Sequence, residues 1–416
     1  MSQIHDLPPW AQCLHEALRE LHAPLADLYE QLDLPSDGGW LGEALAGRTK
    51  PKRGQLALLS ACTDIPLAVL EGTAPVGKTL AVALRAQLDD ATEADVAAAS
   101  HQAEQALLDL GLLLSWFPQE AARTSAAAAD ARRAVARSGS HWQMARQTAE
   151  RLRDVMDLDD APIADLVELV ESLGAAVIQT PMPDCVQGIT VHDPFNSVWR
   201  AVVLINSNTR WARQRFTLAH ELCHLLFEDD GALFVTRKQV DEQDPAELRA
   251  EVFARHFLAP EGAIRRYWAD KARKPDADYA KVLGNFMLDF GISRQATIIA
   301  FTEVLSLGRD VLAAYDAPDC SVPSIMQAAG REDEWNAACS TEHESSASPW
   351  MRSMALDAFR SGVVDVALVA RVLGRPDDLD AVEQELRDAG WTPEPESERQ
   401  WERVTLRTDI PFGKAP

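Results

Sequence analysis

The chain has 416 residues, 47% of them apolar, with 64 acids against 40 lysines and arginines and a formal charge of −24. That length exceeds one small core, so two or three domains are expected, and the excess of acid excludes nucleic-acid binding by the surface as a whole; any DNA contact must come from a locally basic element. No run of about 18 apolar residues exists, so no membrane span is expected, and the start "MSQIHDLPPW" lacks the basic and apolar regions of a secretory signal, which makes the cytoplasm the expected location.

Residues 10–72 read as short amphipathic helices. "AQCLHEALREL" repeats Leu14, Leu18 and Leu21, and "PLADLYEQL" opens on Pro24 and repeats Leu25, Leu28 and Leu32. "WLGEALAGRTKPKR" is a third helix running into a basic cluster, and "GQLALLSACTDIPLAVLEG" supplies two more around Pro66. Residues 76–117 read as one or two long helices. The Ala/Arg/Ser-rich stretch 118–140 reads as a linker, with helix as the alternative its alanines allow.

From residue 141 the pattern changes. "HWQMARQTAERLRDVM" and "PIADLVELVESLG" are helices, the second stopped by Gly174. "AAVIQT", "GITVHD" and "RAVVLINS" are strand-like runs rich in Val and Ile. Residues 245–259 form a helix ended by Pro260, and helix continues to about 390 before a tail, "TPEPESERQWERVTLRTDIPFGKAP", with little structural signal. The six cysteines (13, 62, 185, 223, 320 and 339) are scattered without a CxxC pair and are expected to be free thiols.

Chemistry concentrates in "RFTLAHELCHLLFED". Residues four apart lie on one helix face, so His220 and His224 can aim both imidazoles at one cation. Glu221, beside that face, is placed to take a proton from a water held there. A third ligand is expected from "PAELRAEVFARHFLAP", where Glu247 and Glu251 share a face and Ala250, Phe253, Ala254 and Phe257 form the neighbouring apolar stripe. Glu247 as ligand, with Glu251 orienting a histidine N–H, is the preferred assignment; the reverse is the alternative. His256, half a turn away, is left out of the site. The strand at 201–207 is expected to run beside the centre with an edge able to hold an extended peptide. His192, on the strand before it, is read as packing.

"RFTLAHELCHLLF" followed by "ELRAEVFARHFLAP" resembles the ImmA/IrrE family of metallopeptidases, and the upstream "AERLRDVMDLDDAPIADLVELVESLGAAVIQT" resembles the segment that leads into it. The resemblance covers roughly 145–265. It implies that His220 and His224 are metal ligands, Glu247 the third ligand and Glu221 the catalytic carboxylate. It also implies Zn²⁺ as cofactor, Mn²⁺ or Fe²⁺ being the alternatives this ligand set admits. Two residues depart from the family pattern. Cys223 stands where glycine is usual and is read as a packing residue. Glu251 stands where asparagine is usual and adds negative charge near the metal.

The helices at 10–72 resemble an XRE-type helix-turn-helix domain, with a second helix at about 24–32 and a recognition helix at about 38–47. Its candidate DNA contacts are Trp40, Arg48, Lys50, Lys52 and Arg53, set against ten acids in residues 1–75; a helical protein-interaction module is the alternative. Residues 280–306 repeat a helix–Gly–Ile–Ser–helix pattern whose Ser293 and Arg294 are candidates for seating a substrate or a DNA backbone, and 354–375 is a further helical pair. The expected fold is therefore α+β and mostly helical. It comprises a helix-turn-helix domain at 8–75, a helical connector and linker at 76–140, a zincin-like metallopeptidase domain with a small mixed sheet at 141–265, a helical C-terminal region at 266–390 and a weakly structured tail at 391–416. The function these resemblances imply is a zinc endopeptidase-regulator that cleaves a transcriptional repressor. The alternatives are a DNA-binding regulator whose metal domain is a sensor, and a pure interaction protein.

Overall fold

The computed structural model describes residues 93–392, except 185, 193–198, 228–232, 238–243, 272–278, 308–310, 313–314, 316–319 and 341–343, together with scattered positions between 8 and 70. The chain divides into two compact units, residues 1–100 with 194–197, and residues 101–193 with 198–416. Among the described residues no helix is long and apolar enough to cross a membrane. Cys223, Cys320 and Cys339 are free thiols, as expected; the other three cysteines lie outside the described residues.

In the first unit, Leu14, Leu18, Leu28, Leu41, Ala44, Leu45, Leu56, Leu59 and Leu70 pack into one apolar cluster. The helix expected at 38–47 is α1, Gly39–Leu45. Gly38 precedes it with φ of 82°, and a Cβ there would fall 2.6 Å from the Tyr29 ring, so glycine is required on both counts. His15 Nε2 lies 2.7 Å from the Leu45 carbonyl at the helix end. Trp40 is half-buried against the leucine cluster. Arg48 donates to both Glu43 oxygens at 2.8 Å. Trp40 therefore faces its own unit, and Arg48 pairs within it while remaining exposed, as Lys50 and Lys52 are; Arg53 lies outside the described residues. The second helix at 24–32 and the pair around Pro66 fall mostly outside them too.

Two helices follow: α2, Glu93–Trp116, and α3, Pro118–Arg133. The stretch read as a linker is thus helical. Pro118 sits in the first turn, Arg132 and Arg133 in the last, and Ala121, Thr124, Ala128 and Ala131 are buried. Alanine's helix propensity prevails once one alanine face finds a core.

In the second unit, α4 (His141–Val155) begins with a capping box between Ser140 and Gln143, and α5 (Leu166–Ser172) is capped by Asp165. Gly174, with φ of 86°, ends α5 and leads into the sheet. The strands are β1 (Ala175–Thr180), β2 (Val186–His192), β3 (Ala201–Asn206) and β4 (Leu233–Arg237), in the spatial order β1-β3-β2-β4. β1 pairs parallel to β3, while β2 runs antiparallel to both β3 and β4. Three strands match the sequence expectation and β4 is additional. The expectation of a free edge at 201–207 is corrected: β3 is hydrogen-bonded on both sides, because β1 and β2 occupy its two flanks. Along β2, the pairing with β4 shifts between Val186 and Gly188, a bulge that leaves Gln187 as the extra residue.

The long helix α6, Trp211–Phe227, packs on this sheet, and α7, Pro245–Leu258, packs on α6 and α4. Phe253 and Phe257 of α7 stack with ring centroids 5.2 Å apart and are fully buried, each contributing about 1.5–3 kcal/mol. Arg153 of α4 is also buried; it donates to the carbonyls of Phe257, at 2.6 Å, of Asp159, at 2.7 Å, and of Ala161. One guanidinium thereby ties α4, the following loop and the end of α7. Burial lowers its pKa to about 10, opposed by Asp160 and Asp159.

Further helices complete this unit: α8 (Glu261–Lys271), α9 (Tyr279–Phe290), α10 (Arg294–Leu305), α11 (Val322–Ala329), α12 (Glu332–Cys339), α13 (Pro349–Arg360), α14 (Val366–Val372) and α15 (Leu379–Asp388). Ser293 caps α10 by accepting from Ala296 N at 3.2 Å, and Arg294 donates to the Cys320 carbonyl. Both candidates for seating a ligand are therefore engaged within the fold. The segment before α13 docks on β1: Gln179 and Ser346 exchange two backbone hydrogen bonds of 2.9 Å. Of the expected tail, 391 and 392 are described, and the rest lies outside.

Candidate metal centre

α6 carries the motif because its sequence is apolar on most sides and is buried almost throughout its last three turns. His220 and His224 are each 2% exposed and Glu221 is fully buried. Their Nε2 atoms face one another at 3.1 Å. Glu247 comes from the first turn of α7, a helix begun by Pro245 and capped by Asp244, which accepts from Ala246 N at 2.8 Å. Its Oε2 lies 3.2 Å from His220 Nε2 and its Oε1 3.3 Å from His224 Nε2. Two imidazoles and a carboxylate from separate helices thus converge as the spacing suggested, and these three residues form the one candidate cation group among the described residues.

The donor set fits a divalent cation. A tetrahedral ion with bonds of about 2.0–2.1 Å holds its ligand atoms about 3.3–3.4 Å apart, close to the three separations observed. The chemistry agrees with the geometry. Two imidazole nitrogens and a carboxylate turned on one point are the nitrogen and oxygen donors that a borderline divalent cation takes. Burial raises the Glu247 pKa, but the hydrogen bonds from His220 and His224 outweigh it and hold the carboxyl well below the usual range. That negative charge is what a metal ligand requires.

Glu221 lies beside this group and against β2. Its Oε2 accepts from Thr190 Oγ1 at 2.5 Å, while its Oε1 is buried with no hydrogen-bond partner among the described residues. Gly188 is the reason that oxygen has room: a Cβ there would approach Oε1 to 2.8 Å and Thr217 Cγ2 to 2.9 Å. A buried carboxylate oxygen without a donor costs about 1–3 kcal/mol, so its position marks a place where a donor arrives from outside the fold. Sequence reasoning missed Thr190 and Gly188. The signal was there: residues two apart on a strand face the same way, and glycine inside a strand marks a close approach.

Glu251, one turn beyond Glu247, is half-buried, and its charge acts on Arg213 near the start of α6. Since Glu247 meets the other end of α6, the two helices run antiparallel. His256 lies outside the centre, packed edge-on against Trp142 with centroids 5.8 Å apart. Cys223 is fully buried in the core behind the motif.

A comparison with curated proteins finds no match. Residues 170–302 match the family model of the IrrE N-terminal-like domain, Peptidase_M78, a stretch that starts later and ends later than the 145–265 span of the sequence resemblance. Peptidases of this family are metal-dependent. The match, which runs from α5 into α10 and contains all four motif residues, supports the ImmA/IrrE family and metallopeptidase chemistry for this part of the chain.

Proposed function

We propose that the protein is a zinc-dependent endopeptidase that cleaves a regulatory protein, with a transcriptional repressor as the expected substrate and the cytoplasm as its setting. The observation that carries this reading is the closed His220–His224–Glu247 group next to the partnerless oxygen of Glu221. Zn²⁺ held by those three residues would polarise the scissile carbonyl and acidify a water, with Mn²⁺ as the alternative metal. Glu221 then takes the proton from the attacking water through Oε1, while Thr190 keeps Oε2 fixed. The water oxygen bonds to the carbonyl carbon, the C–N bond breaks, and Glu221 returns the proton to the leaving nitrogen.

For the N-terminal unit we favour an interaction module that brings substrate or partner. The pairing of Arg48 with Glu43 and the half-buried Trp40 support this over base reading. A mobility-shift assay on the protein's own promoter tests it: tight, sequence-dependent binding through Lys50, Lys52 and Arg53 would favour a DNA-binding regulator. Glu221→Gln tests the enzyme. It should keep stoichiometric zinc and lose cleavage of a co-expressed repressor or an unstructured protein probe. Cleavage at the wild-type rate by that variant would overturn the mechanism.

A further inference from the structure

The bulge in β2 has a purpose that the four motif residues do not explain. In a regular strand Gln187 would face away from Gly188 and Thr190, and so away from α6. The extra residue turns it instead toward α6, where Gln187 Oε1 accepts from Arg213 Nε at 3.2 Å. Gln187 is itself buried and braced, its Nε2 donating to the Asp184 carbonyl at 3.3 Å. The loop beneath is pinned by Asn206 Nδ2, which donates to the carbonyls of Met182 and Pro183 at 3.1 Å and of Val186 at 2.7 Å. A fully buried asparagine, a bulge and a buried glutamine thus serve to orient one guanidinium.

That guanidinium is incompletely used. Its Nε is bound to Gln187, but among the described residues neither terminal nitrogen has a hydrogen-bond partner. Glu251 acts on it through space and makes no ion pair with it. The Phe216 ring lies beside it, with its centroid 5.6 Å from the guanidinium carbon. Burial lowers the Arg213 pKa, Glu251 opposing. The two free nitrogens form one side of the planar fork that matches a carboxylate. Arg213 also stands seven residues before His220, two turns along the same helix face and about 10 Å away, which is the span of about three residues of extended peptide.

We propose that Arg213, oriented by Gln187, is a carboxylate-binding subsite beside the metal centre, selecting substrates with an acidic residue about three positions from the scissile bond. This rests on the peptidase reading for that centre and adds the substrate class. The probe is a set of acetylated, amidated decapeptides of Ala, Ser and Phe carrying a single Glu, Gln or Lys at each position in turn. A parallel peptide with a free C-terminus tests whether a terminal carboxylate serves equally. Binding is measured by calorimetry on zinc-loaded Glu221→Gln protein, so that it does not depend on turnover. At one position Glu should bind about 5-fold or more tighter than Gln, the ratio should fall to about 1 with Arg213→Gln, and Lys should be preferred with Arg213→Glu. Zinc content and near-UV dichroism of each variant check the fold. Equal binding of Glu and Gln at every position, no Glu-dependent binding at all, or a preference that survives Arg213→Gln overturns the proposal. Cleavage of the same peptides by the protein with Glu221 intact, followed by mass spectrometry, separates the two ideas. Arg213-dependent binding without any cleavage contradicts the peptidase and leaves the subsite standing; cleavage indifferent to acid does the reverse.

Discussion

Thr190 Oγ1 donates to Glu221 Oε2 at 2.5 Å, and two residues earlier on the same strand the missing side chain of Gly188 leaves room for Glu221 Oε1. One strand face therefore both holds the carboxylate and clears the space in which it works. Thr190→Val should lower kcat about 10- to 100-fold with zinc content and KM little changed, since the hydroxyl orients the base without touching metal or peptide. Gly188→Ala should do the same by displacing Oε1. Metal analysis with steady-state kinetics on an unstructured protein probe checks both; loss of zinc in either variant would mean that β2 supports the ligands instead.

Because the three ligand groups face each other inside the protein, the cation should stabilise the fold. With free metal at about 100 times Kd the gain is about 2.7 kcal/mol, so chelation should lower Tm by about 4 °C in a unit of this size. His220→Ala and Glu247→Ala should show the lowered Tm without chelator and no further response to it. Differential scanning calorimetry with and without chelator reads this directly, and an unchanged Tm would contradict a tightly bound ion.

His256 gives the fold a dependence on acid. Burial lowers its pKa to about 4, opposed by Glu261 and reinforced by Arg255 and Arg146. Between pH 6.5 and 4 the unfolded chain binds a proton there and the folded one does not, so stability rises with pH through that window and falls by up to about 3 kcal/mol on acidification. Urea unfolding at intervals across the window should show this slope, reduced by that amount in His256→Leu. An identical slope in wild type and variant would assign it elsewhere.

The helical pair at 349–372 is held to the sheet by a buried acid. Glu171 accepts from Ser348 Oγ, from Trp350 N at 3.0 Å and from Val177 N at 3.3 Å. Burial raises its pKa, with those hydrogen bonds opposing and Asp165 adding to the rise. Glu171→Leu strands two buried donors and a part-buried one and should cost about 3 kcal/mol or more. Hydrogen exchange should show the Trp350 amide losing protection, while the α6 amides around His220 keep theirs. Uniform loss across both would show that α13 is not a separable dock.

Much of the centre could be read from local order. Helical periodicity places His220 and His224 on one face, and the acid pair on the next helix supplies Glu247, because both relations stay within single helices and are fixed by a repeat of 3.6 residues. Relations that cross between elements were not legible. β4 is five residues long and lies among acids, although "LFVTR" has the β-branched and aromatic content of a strand. β1 and β2 are legible as strands, but their spatial order is not: β1 pairs with β3 across the intervening β2, so nothing local shows that both flanks of β3 are filled. The bulge at Gln187 exists only relative to β4. The connector at 118–133 was ambiguous because alanine-rich sequence is helical or flexible according to whether a core receives it. Arg48 carried the right charge for DNA, but its pairing depends on Glu43 lying within reach across a helix end.

The central claim is that one cation is held jointly by α6 and α7. Anomalous diffraction recorded on either side of the zinc absorption edge, from crystals of the full chain, tests it most directly. A single peak about 2.0–2.2 Å from His220 Nε2, His224 Nε2 and a Glu247 oxygen, present above the edge and absent below it, is the expected result. A peak elsewhere, or none in crystals of zinc-loaded protein with these side chains well ordered, would contradict the metal centre and the peptidase reading built on it.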